Sequence, residues 1–480
     1  MSKSKVNHPR HYLSVTKERN NIAAYVDLAK EQVASGNITQ AYITASELTR
    51  LDSNNGFLNE KITELELQID LDLNQLTIYK NRAGLVLAKK SISPRSILII
   101  TNIFPPQKLG GFGRTMFEFS EELLTRGHRV RVITSDTPKL KRNHQEFHKK
   151  FEINVNRSLK LFGDWIDGAA VAEPSIEKRH QIATYNEQTV LDEVKEFCPD
   201  IVIVGNLDFL GNLFIKKLTD LNIPVLHRLG NSFTGSEPNE TPTSAIYWMA
   251  ACSKWVNDVL RNNGYKFKKY LVIPPGSPLH YYYRYYPPNR ETLKIVYSGL
   301  ILPFKGAHIL LEALVYLKHM NIPFECNFAG DTLSDSYLEN LKLIAHVNKI
   351  SDYVNFIGFL SIDELSKLYA SSNTLVFPSV FEEPFGKSQV EAMAAGLLVI
   401  SSDTKGSIEL LSDKNNALIF KKNDAYDLSQ KLIWAHNHQL KAAEIAKIGQ
   451  NYSFKYTTSN CVDLLETALD QMITYANSRK

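Results

Sequence analysis

The spacing of hydrophobic residues changes along the chain and indicates regions of different structure. Up to about residue 92, apolar residues recur every three or four positions, as at Ile62, Leu65 and Ile69, which is the period of an amphipathic helix. From Ser96 onward, apolar residues form short continuous runs rich in β-branched side chains, and segments of helical character separate these runs. This alternation is typical of βαβ units around a parallel sheet that is covered on both faces.

The apolar runs fall into two series. The first begins with "SILIITNIF" at Ser96, and the second begins with "LKIVYSGL" at Leu293. Between them lies "PPGSPLHYYYRYYPPNR", whose prolines disfavour both helix and central strand and indicate a linker. We therefore predict an α/β fold with two doubly wound, Rossmann-like domains at residues 93–288 and 289–455. Two such sheets face a cleft between the carboxyl ends of their strands, where ligands of open α/β sheets bind.

The two ends of the chain are predicted to be helical. Residues 456–480 read as a helix that either domain could accommodate. Residues 1–92 read as an all-helical extension, within which "LAKEQVASGNITQAYITASELTRLDSNN" resembles one tetratricopeptide unit. Such units bury their apolar faces by stacking, and at least three are normally needed. The extension is therefore either a cap on the neighbouring domain or a module that binds a partner.

Composition excludes several classes of protein. A formal net charge of +4 over 480 residues is too small to make nucleic acid the main partner. Cys198, Cys252, Cys326 and Cys461 lie far apart, without a CxxC pair or a histidine at metal-ligand spacing. We expect no zinc site and no disulfide scaffold, which suits a reducing compartment. The polar N-terminus and the lack of a long apolar run predict a soluble, cytoplasmic protein.

A glycine-rich loop follows the first predicted strand. The segment "QKLGGFGR" carries Gly110, Gly111 and Gly113 between a strand and a helix, where backbone N–H groups can approach an anion or a sugar. A tight turn that needs positive φ angles would also select glycine without any ligand. The run is not the dinucleotide fingerprint, and apart from Asp136 no acidic residue ends the second strand. The sequence therefore disfavours an NAD site.

Two carboxylates flank a second loop-to-helix junction. In "VFEEPFGKSQVEAMAAGLLVISSD", Glu383 and Glu391 are separated by seven residues, and Gly386 marks the predicted start of the helix. A helix start presents unpaired N–H groups and the positive end of its dipole, to which a diphosphate would bind. The two carboxylates could then accept hydrogen bonds from sugar hydroxyls on either side. A glutamate near a helix start also stabilises the dipole by about 0.3–1 kcal/mol without a ligand, so this pair alone decides nothing.

Together with other stretches, this segment is identified as the E-x7-E signature of the retaining glycosyltransferases of family 4, which have the GT-B fold. The stretches that resemble the family in the same order include "ACSKWVNDVLRNNG", "VIPPG", "YSGLILPFKGAHILLEAL", "NFAGD" and "VNFIGFLSIDELSKLYASSNTLVFPS". The resemblance covers about residues 95–455. It implies transfer of a hexose from a nucleotide diphosphate sugar to an acceptor hydroxyl, as in polysaccharide biosynthesis. The acceptor stays open between a glycan, a lipid-linked molecule and a small molecule.

The resemblance also implies roles for individual residues. As catalytic residues, Glu383 would hold the donor sugar, Lys305 would neutralise the leaving diphosphate, and His227 would face the reacting sugar. A histidine at the end of a buried strand is otherwise a core residue. Glu391 would bind the ribose hydroxyls. Positions that would contact the donor through their backbone are Phe385, Gly386 and Lys387 at the diphosphate or sugar, Gly110 and Gly111 at the phosphate, and Gly358 at the base.

The chain departs from the family pattern at two positions. Leu300 stands where members usually carry an arginine that clamps the diphosphate, and Pro275 replaces the usual asparagine of "IPNG". A charged hydrogen bond of the missing kind is typically worth about 1.5–3 kcal/mol. Lys387 is our candidate for the substitute cation. Leu300 also motivates the alternative of a catalytically degenerate protein that acts as an interaction module through its helical extension.

The sequence predicts neither a metal nor a cofactor. No DxD-like divalent site is evident, and the nucleotide sugar is a substrate. A sugar-nucleotide epimerase or a phosphorylase on the same architecture is a further alternative, although a phosphorylase needs a pyridoxal lysine and a much longer chain. The basic stretch Lys139–Lys150 is either a solvated loop or a site for peripheral contact with anionic lipid on the inner face of the membrane.

Overall fold

The computed structural model of the protein describes residues 93–107, 111–137, 154–166, 169–284 and 288–479. The predicted helical extension (residues 1–92), Gly110 and the basic stretch Lys139–Lys150 lie outside the described residues. Among the described helices, none is long and apolar enough to cross a membrane.

The first domain is built on a seven-stranded parallel sheet with the strand order β3-β2-β1-β6-β7-β8-β9. Its strands are β1 (Ser96–Ile100), β2 (Arg129–Ser135), β3 (Val155–Leu159), β6 (Ile201–Val204), β7 (Val225–Leu229), β8 (Tyr247–Ala251) and β9 (Tyr270–Val272). Its helices are α1 (Phe112–Thr125), α2 (Ile176–Phe197), α3 (Leu213–Asp220) and α4 (Lys254–Asn262). A separate antiparallel hairpin pairs β4 (Gly163–Ile166) with β5 (Ala169–Ala172). The pattern of apolar residues predicts neither β3 nor this hairpin.

The second domain contains a six-stranded parallel sheet with the order β12-β11-β10-β13-β14-β15. Its strands are β10 (Leu293–Ser298), β11 (Phe324–Ala329), β12 (Val354–Gly358), β13 (Thr374–Phe377), β14 (Leu398–Ser402) and β15 (Leu418–Phe420). Its helices are α5 (Ala307–His319), α6 (Asp335–Val347), α7 (Ile362–Ser371), α8 (Lys387–Ala394), α9 (Lys405–Leu410), α10 (Ala425–Asn437) and α11 (Gln439–Ser453). The prediction of two doubly wound, Rossmann-like domains is confirmed.

Alternate residues of the central strands enter different cores, which explains their continuous apolar runs. Ile97 and Ile99 of β1 pack on one face of the first sheet, whereas Leu98 and Ile100 pack on the other. The second sheet repeats this arrangement in β10. One apolar cluster joins the two domains, because Leu229 and Val256 of the first pack in it with Val390 of the second.

The last helix, α12 (Thr458–Asn477), packs on the first domain. Its polar anchor is Arg126, which follows α1 and is fully buried. The Arg126 guanidinium donates to Asp463 at 2.7 Å, to the Ser459 hydroxyl at 2.8 Å and to Glu466. His128 lies 2.7 Å from the other oxygen of Glu466. A buried cation with several anionic partners therefore fixes the C-terminal helix against α1.

We expect Arg126→Met to lower the free energy of unfolding by about 1.5–3 kcal/mol, because it removes the charged hydrogen bonds of a buried cation to carboxylates that are themselves only partly buried. The matched control is Arg95→Met, which removes an exposed pair with Asp470 on the same helix and should change stability by less than about 1 kcal/mol. Denaturant unfolding measures both variants. Equal losses in the two would contradict a special role of the buried site.

Candidate active site

Two of the predicted catalytic residues form a partly buried ion pair in the second domain. Lys305 ends a short 3₁₀ turn before α5, and Glu383 lies in the loop between β13 and α8. The Lys305 ammonium donates to Glu383 Oε1 at 2.6 Å, and the Ser379 hydroxyl donates to the same oxygen at 2.8 Å. Because Oε1 takes both bonds, the carboxylate is oriented, and Oε2 accepts no hydrogen bond from the described residues.

Glycine at position 306 allows the Lys305 turn to approach the β13 loop. Gly306 has φ +73°, and a Cβ built there would lie 1.9 Å from the carbonyl oxygen of Pro378. Any side chain at this position would push the turn that carries Lys305 away from the loop that carries Glu383. Close backbone contact thus explains why glycine follows Lys305 in the sequence. The ion pair between Lys305 and Glu383 depends on that contact.

The helix start predicted at Gly386 is confirmed. Gly386 is the N-cap of α8, with φ +92°, and a Cβ built there would meet the Gln389 side chain at 2.0 Å. The first turn of α8 contains no acidic residue, since Glu391 lies in the second turn. The dipole alone therefore does not account for Glu391, because dipole stabilisation is confined to the first turn.

Glu391 is turned toward the first domain and not toward solvent. Its residue exposure is 3%, compared with 5% for Glu383. Glu391 Oε1 accepts a hydrogen bond from the Ser277 hydroxyl at 2.8 Å and lies 3.3 Å from Nη2 of Arg114 on α1. Sequence reasoning missed Ser277 and Arg114, because their contacts with Glu391 join segments more than a hundred residues apart.

Lys387, our candidate for a substitute diphosphate cation, is paired across the domains. Its ammonium donates to Glu118 of α1 at 2.5 Å. Burial lowers the pKa of the Lys387 ammonium, and the carboxylate of Glu118 opposes that shift. In this structure Glu118 balances the charge of Lys387. Lys387 would therefore replace the arginine that is missing at position 300 only in a conformation in which its pair with Glu118 is broken.

The glycine loop of the first domain leaves space at the start of α1. Gly111 is the N-cap of α1 with φ −91°, and a Cβ built there would meet nothing within 4 Å. Neither backbone strain nor packing within the described residues requires glycine at 111, which removes the positive-φ explanation for this residue. A Cβ at Gly358, which ends β12 with φ +82°, would likewise meet nothing within 4 Å.

His227 lies inside the first sheet and has no exposed surface. It is 0% exposed, and its Nδ1 lies 2.7 Å from the Tyr247 hydroxyl. Burial lowers the pKa of His227 to about 3, so the ring is neutral at physiological pH. A role in facing the reacting sugar therefore stays a prediction that needs a rearrangement of this part of the cleft.

A polar cluster that sequence reasoning missed follows the neighbouring strands β1, β6 and β7. Asp208, after β6, accepts a hydrogen bond from the Asn231 side chain, while the amide of Asn102 lies 3.4 Å from the Asp208 carbonyl oxygen. Burial raises the pKa of Asp208 to about 6, against its hydrogen bonds. The carboxyl ends of adjacent parallel strands meet at one edge of the sheet, so the order of the strands brings these three residues together.

Comparison with known proteins identifies the family. The model of the family described as glycosyl transferases group 1 matches residues 286–452, and that of glycosyltransferase family 4 matches residues 109–280. The two matches together span both domains. The chain belongs to glycosyltransferase family 4. Among the described residues, no group of three His, Cys, Asp or Glu side chains is placed to hold a metal ion, and the absence of a metal stays a prediction.

Individual relatives are similar over most of the described chain. Spore coat protein SA of Bacillus subtilis is 24% identical over 67% of this chain and 84% of its own length. An uncharacterised glycosyltransferase of Methanocaldococcus jannaschii, MJ1178, is 29% identical over 53% of this chain and 69% of its own. These relatives support a transferase and leave the sugar undetermined.

Solved structures confirm the GT-B fold. A glycosyltransferase from Rickettsia africae superposes with a TM-score of 0.62 at 18% identity, over 79% of this chain and 99% of its own. Anabaena HepE in complex with UDP-glucose superposes with a TM-score of 0.57 at 16% identity, over 80% of this chain and 100% of its own. At these identities the similarity concerns the fold.

The raised pKa of Asp208 predicts a pH-dependent effect of Asp208→Asn on stability. A carboxyl whose folded pKa is about 6, above the ordinary 3.8, stabilises the fold when protonated, and this contribution is lost as pH rises toward 6. The variant should therefore be more stable than the parent at about pH 8, by at most about 3 kcal/mol, and this gain should shrink by about 1 kcal/mol at about pH 5.

The control is Asp352→Asn, which changes an exposed aspartate in the second domain. It should show no such gain at alkaline pH. Denaturant unfolding at both pH values measures the effect, and a gain for Asp208→Asn that increases toward acid would contradict the assigned environment.

Proposed function

We propose that the protein is a retaining glycosyltransferase that moves a hexose from a nucleotide diphosphate sugar to an acceptor hydroxyl. One observation supports this most strongly. Glu383 and Glu391 are buried on either side of the start of α8, and Lys305 from a different loop contacts Glu383 at 2.6 Å. A helix start, a lysine and two oriented carboxylates together provide the charges that a diphosphate and two hydroxyl-rich groups require.

In the proposed reaction, the bond between the anomeric carbon and the diphosphate oxygen breaks, and a bond to the acceptor oxygen forms on the same face. The acceptor proton leaves toward the departing diphosphate or solvent. The difficult step is the development of negative charge on the leaving diphosphate, which preorganised cations and N–H groups stabilise. Lys305 has three N–H donors, of which Glu383 takes one. Among the described residues the Lys305 ammonium donates no other hydrogen bond, so its remaining N–H groups can bind the diphosphate.

Several features of relatives guide the choice of substrates. HepE has been solved in complex with UDP and with UDP-glucose, which makes UDP-glucose the first donor to test. Relatives named for colanic acid biosynthesis and for the spore coat support a polysaccharide acceptor.

A cytoplasmic location, with or without peripheral contact with the inner face of the membrane, is part of the proposal. Leu300 is the single feature that motivates a non-catalytic module, and the comparisons do not favour that alternative.

A screen of UDP-, GDP- and ADP-sugars should reveal a donor that stabilises the protein thermally, by about 2.7 kcal/mol at a hundred times its Kd. With that donor, Lys305→Met should lower turnover by roughly 100- to 1,000-fold, because it removes the cation from the leaving group. Glu383→Gln should also lower turnover, while Glu391→Gln should mainly weaken donor binding. Donor hydrolysis and sugar transfer are measured by release of the nucleotide.

The matched control is Lys342→Met, which changes an exposed lysine of α6 in the same domain that pairs with Glu339. Its turnover should equal that of the parent. If no sugar nucleotide stabilises the protein, or if Lys305→Met retains full turnover with a donor that binds, the proposed function is wrong.

We expect sugar transfer to persist in excess EDTA, since residues 93–480, which include both Rossmann-like domains, contain no DxD motif. The measurement compares initial rates before and after chelation with the same donor. A loss of activity that Mg²⁺ or Mn²⁺ restores would contradict this prediction while leaving the transferase assignment intact.

A further inference from the structure

The starts of α1 and α8 carry matching charges that pair across the two domains. In each helix a cation precedes an anion by four residues: Arg114 and Glu118 in α1, Lys387 and Glu391 in α8. Arg114 Nε donates to Glu118 at 2.9 Å, Lys387 donates to Glu118 at 2.5 Å, and Arg114 Nη2 lies 3.3 Å from Glu391. We call these four residues the interdomain ion cluster.

The interdomain ion cluster is largely withdrawn from solvent. Side-chain exposures are 24% for Arg114, 7% for Glu118, 13% for Lys387 and 4% for Glu391. Charges at such depth are tolerated when each has a partner, and removal of one partner leaves the other uncompensated. Burial alone lowers the pKa of the Arg114 guanidinium, but Tyr282, Glu391 and Glu118 together raise it well above its ordinary value. Arg114 is therefore a permanent cation at this contact.

Three contacts fix the orientation of the Arg114 guanidinium. Besides Glu118 and Glu391, Nη2 donates to the Tyr282 hydroxyl at 3.0 Å, and Tyr282 is itself buried in the segment that connects the two sheets. Because the guanidinium is planar and its N–H donors point in fixed directions, its orientation also determines the orientation of the carboxylates that it contacts. The position of Arg114 is thus determined by the first domain, the connecting segment and the second domain together.

Arg114 and Ser277 both contact the same carboxylate oxygen of Glu391, Oε1. Oε1 accepts from Ser277 at 2.8 Å and faces Arg114 at 3.3 Å, so its lone pairs are directed toward the connecting segment and the first domain. The rotation of the carboxylate is thereby set. Oε2 accepts no hydrogen bond within the part of the chain that the structure describes, so it is the oxygen that can accept one from a ligand hydroxyl.

We propose that Arg114 is a positioning residue of the nucleotide site: it holds Glu391 so that the free carboxylate oxygen meets the ribose hydroxyls of the donor. This inference rests on the proposed function, in which Glu391 binds ribose. It adds that ribose recognition in the second domain depends on a side chain of the first. The competing explanation is that the cluster only keeps the two domains together, in which case Arg114 would affect every nucleotide equally.

The two explanations differ in their effect on ribose selectivity. The probes are UDP and 2′,3′-dideoxy-UDP, which differ only in the ribose hydroxyls, with the GDP or ADP pair used instead if that nucleotide is the one that binds. Calorimetry gives both Kd values for the parent, Arg114→Gln and Arg114→Lys. We expect Arg114→Gln to weaken UDP roughly tenfold, equivalent to about 1.4 kcal/mol, and to leave the dideoxy analogue within about twofold. Arg114→Lys keeps the positive charge but lacks the planar guanidinium, so its Kd for UDP should lie between those of the parent and Arg114→Gln.

Arg131→Gln is the matched control, because Arg131 pairs with Glu193 and Glu196 inside the first domain. It should leave both Kd values at those of the parent. Equal weakening of both nucleotides by Arg114→Gln would overturn the positioning role in favour of simple domain contact, and an unchanged UDP affinity would overturn it outright. If Arg114→Gln does not fold, as judged by circular dichroism, Arg114→Lys decides by the same comparison of the two nucleotides.

Glu391→Gln separates failure of this inference from failure of the proposed function. If Glu391→Gln abolishes the preference for UDP and Arg114→Gln preserves it, only the role of Arg114 is wrong. If Glu391→Gln keeps the preference of the parent, or the parent binds none of the nucleotides, the assignment of Glu391 to ribose is wrong and the role of Arg114 falls with it.

Discussion

The arrangement of the two domains depends on the pairing of charges that are buried between them. Lys387 occupies the first position of α8, where the helix dipole opposes a cation, and its ammonium is nearly out of solvent. This position is tolerated because Glu118 of the first domain accepts a hydrogen bond from the Lys387 ammonium. One turn further along α8, Arg114 of the first domain forms an ion pair with Glu391. Separation of the two helices would break these pairs and would also expose Val390, which packs in the apolar cluster shared by both domains.

Close contacts at two glycines position the Lys305 turn and the start of α8 in the second domain. Gly306 lets the turn with Lys305 approach the carbonyl of Pro378, and Gly386 opens α8 in a left-handed conformation just after the loop with Glu383. At position 306 a side chain would clash with the backbone and displace Lys305, whereas at position 386 the obstacles are the left-handed φ and the Gln389 side chain. The Lys305 turn is therefore held by main-chain packing, while the Glu383 carboxylate is oriented by its hydrogen bonds from Lys305 and Ser379.

Much of this could be predicted from the sequence, because it is local. Continuous apolar runs such as the one in β1 revealed strands covered on both faces, and Gly386 revealed the start of α8. What could not be predicted is contact between distant segments. Nothing in the spacing of Arg114 links it to Glu391, and the same pattern that placed His227 at a strand end says nothing about whether its ring faces the cleft or the core. The hairpin of β4 and β5 was missed because its strands are short and partly exposed, so they lack the apolar run that identified the others.

Leu300 changes how donor binding must be distributed over the site. Without the arginine that members of the family usually carry there, the diphosphate loses a charged hydrogen bond worth about 1.5–3 kcal/mol. Lys387 is balanced by Glu118, which leaves Lys305 and the start of α8 to meet the diphosphate in this arrangement. Under the proposed function, a larger share of donor affinity would then come from the ribose and the sugar, and the ribose share would depend on how well Glu391 is oriented. The first domain, through Arg114, is placed to supply that orientation, so the loss at position 300 makes contact between the domains more important for binding the nucleotide.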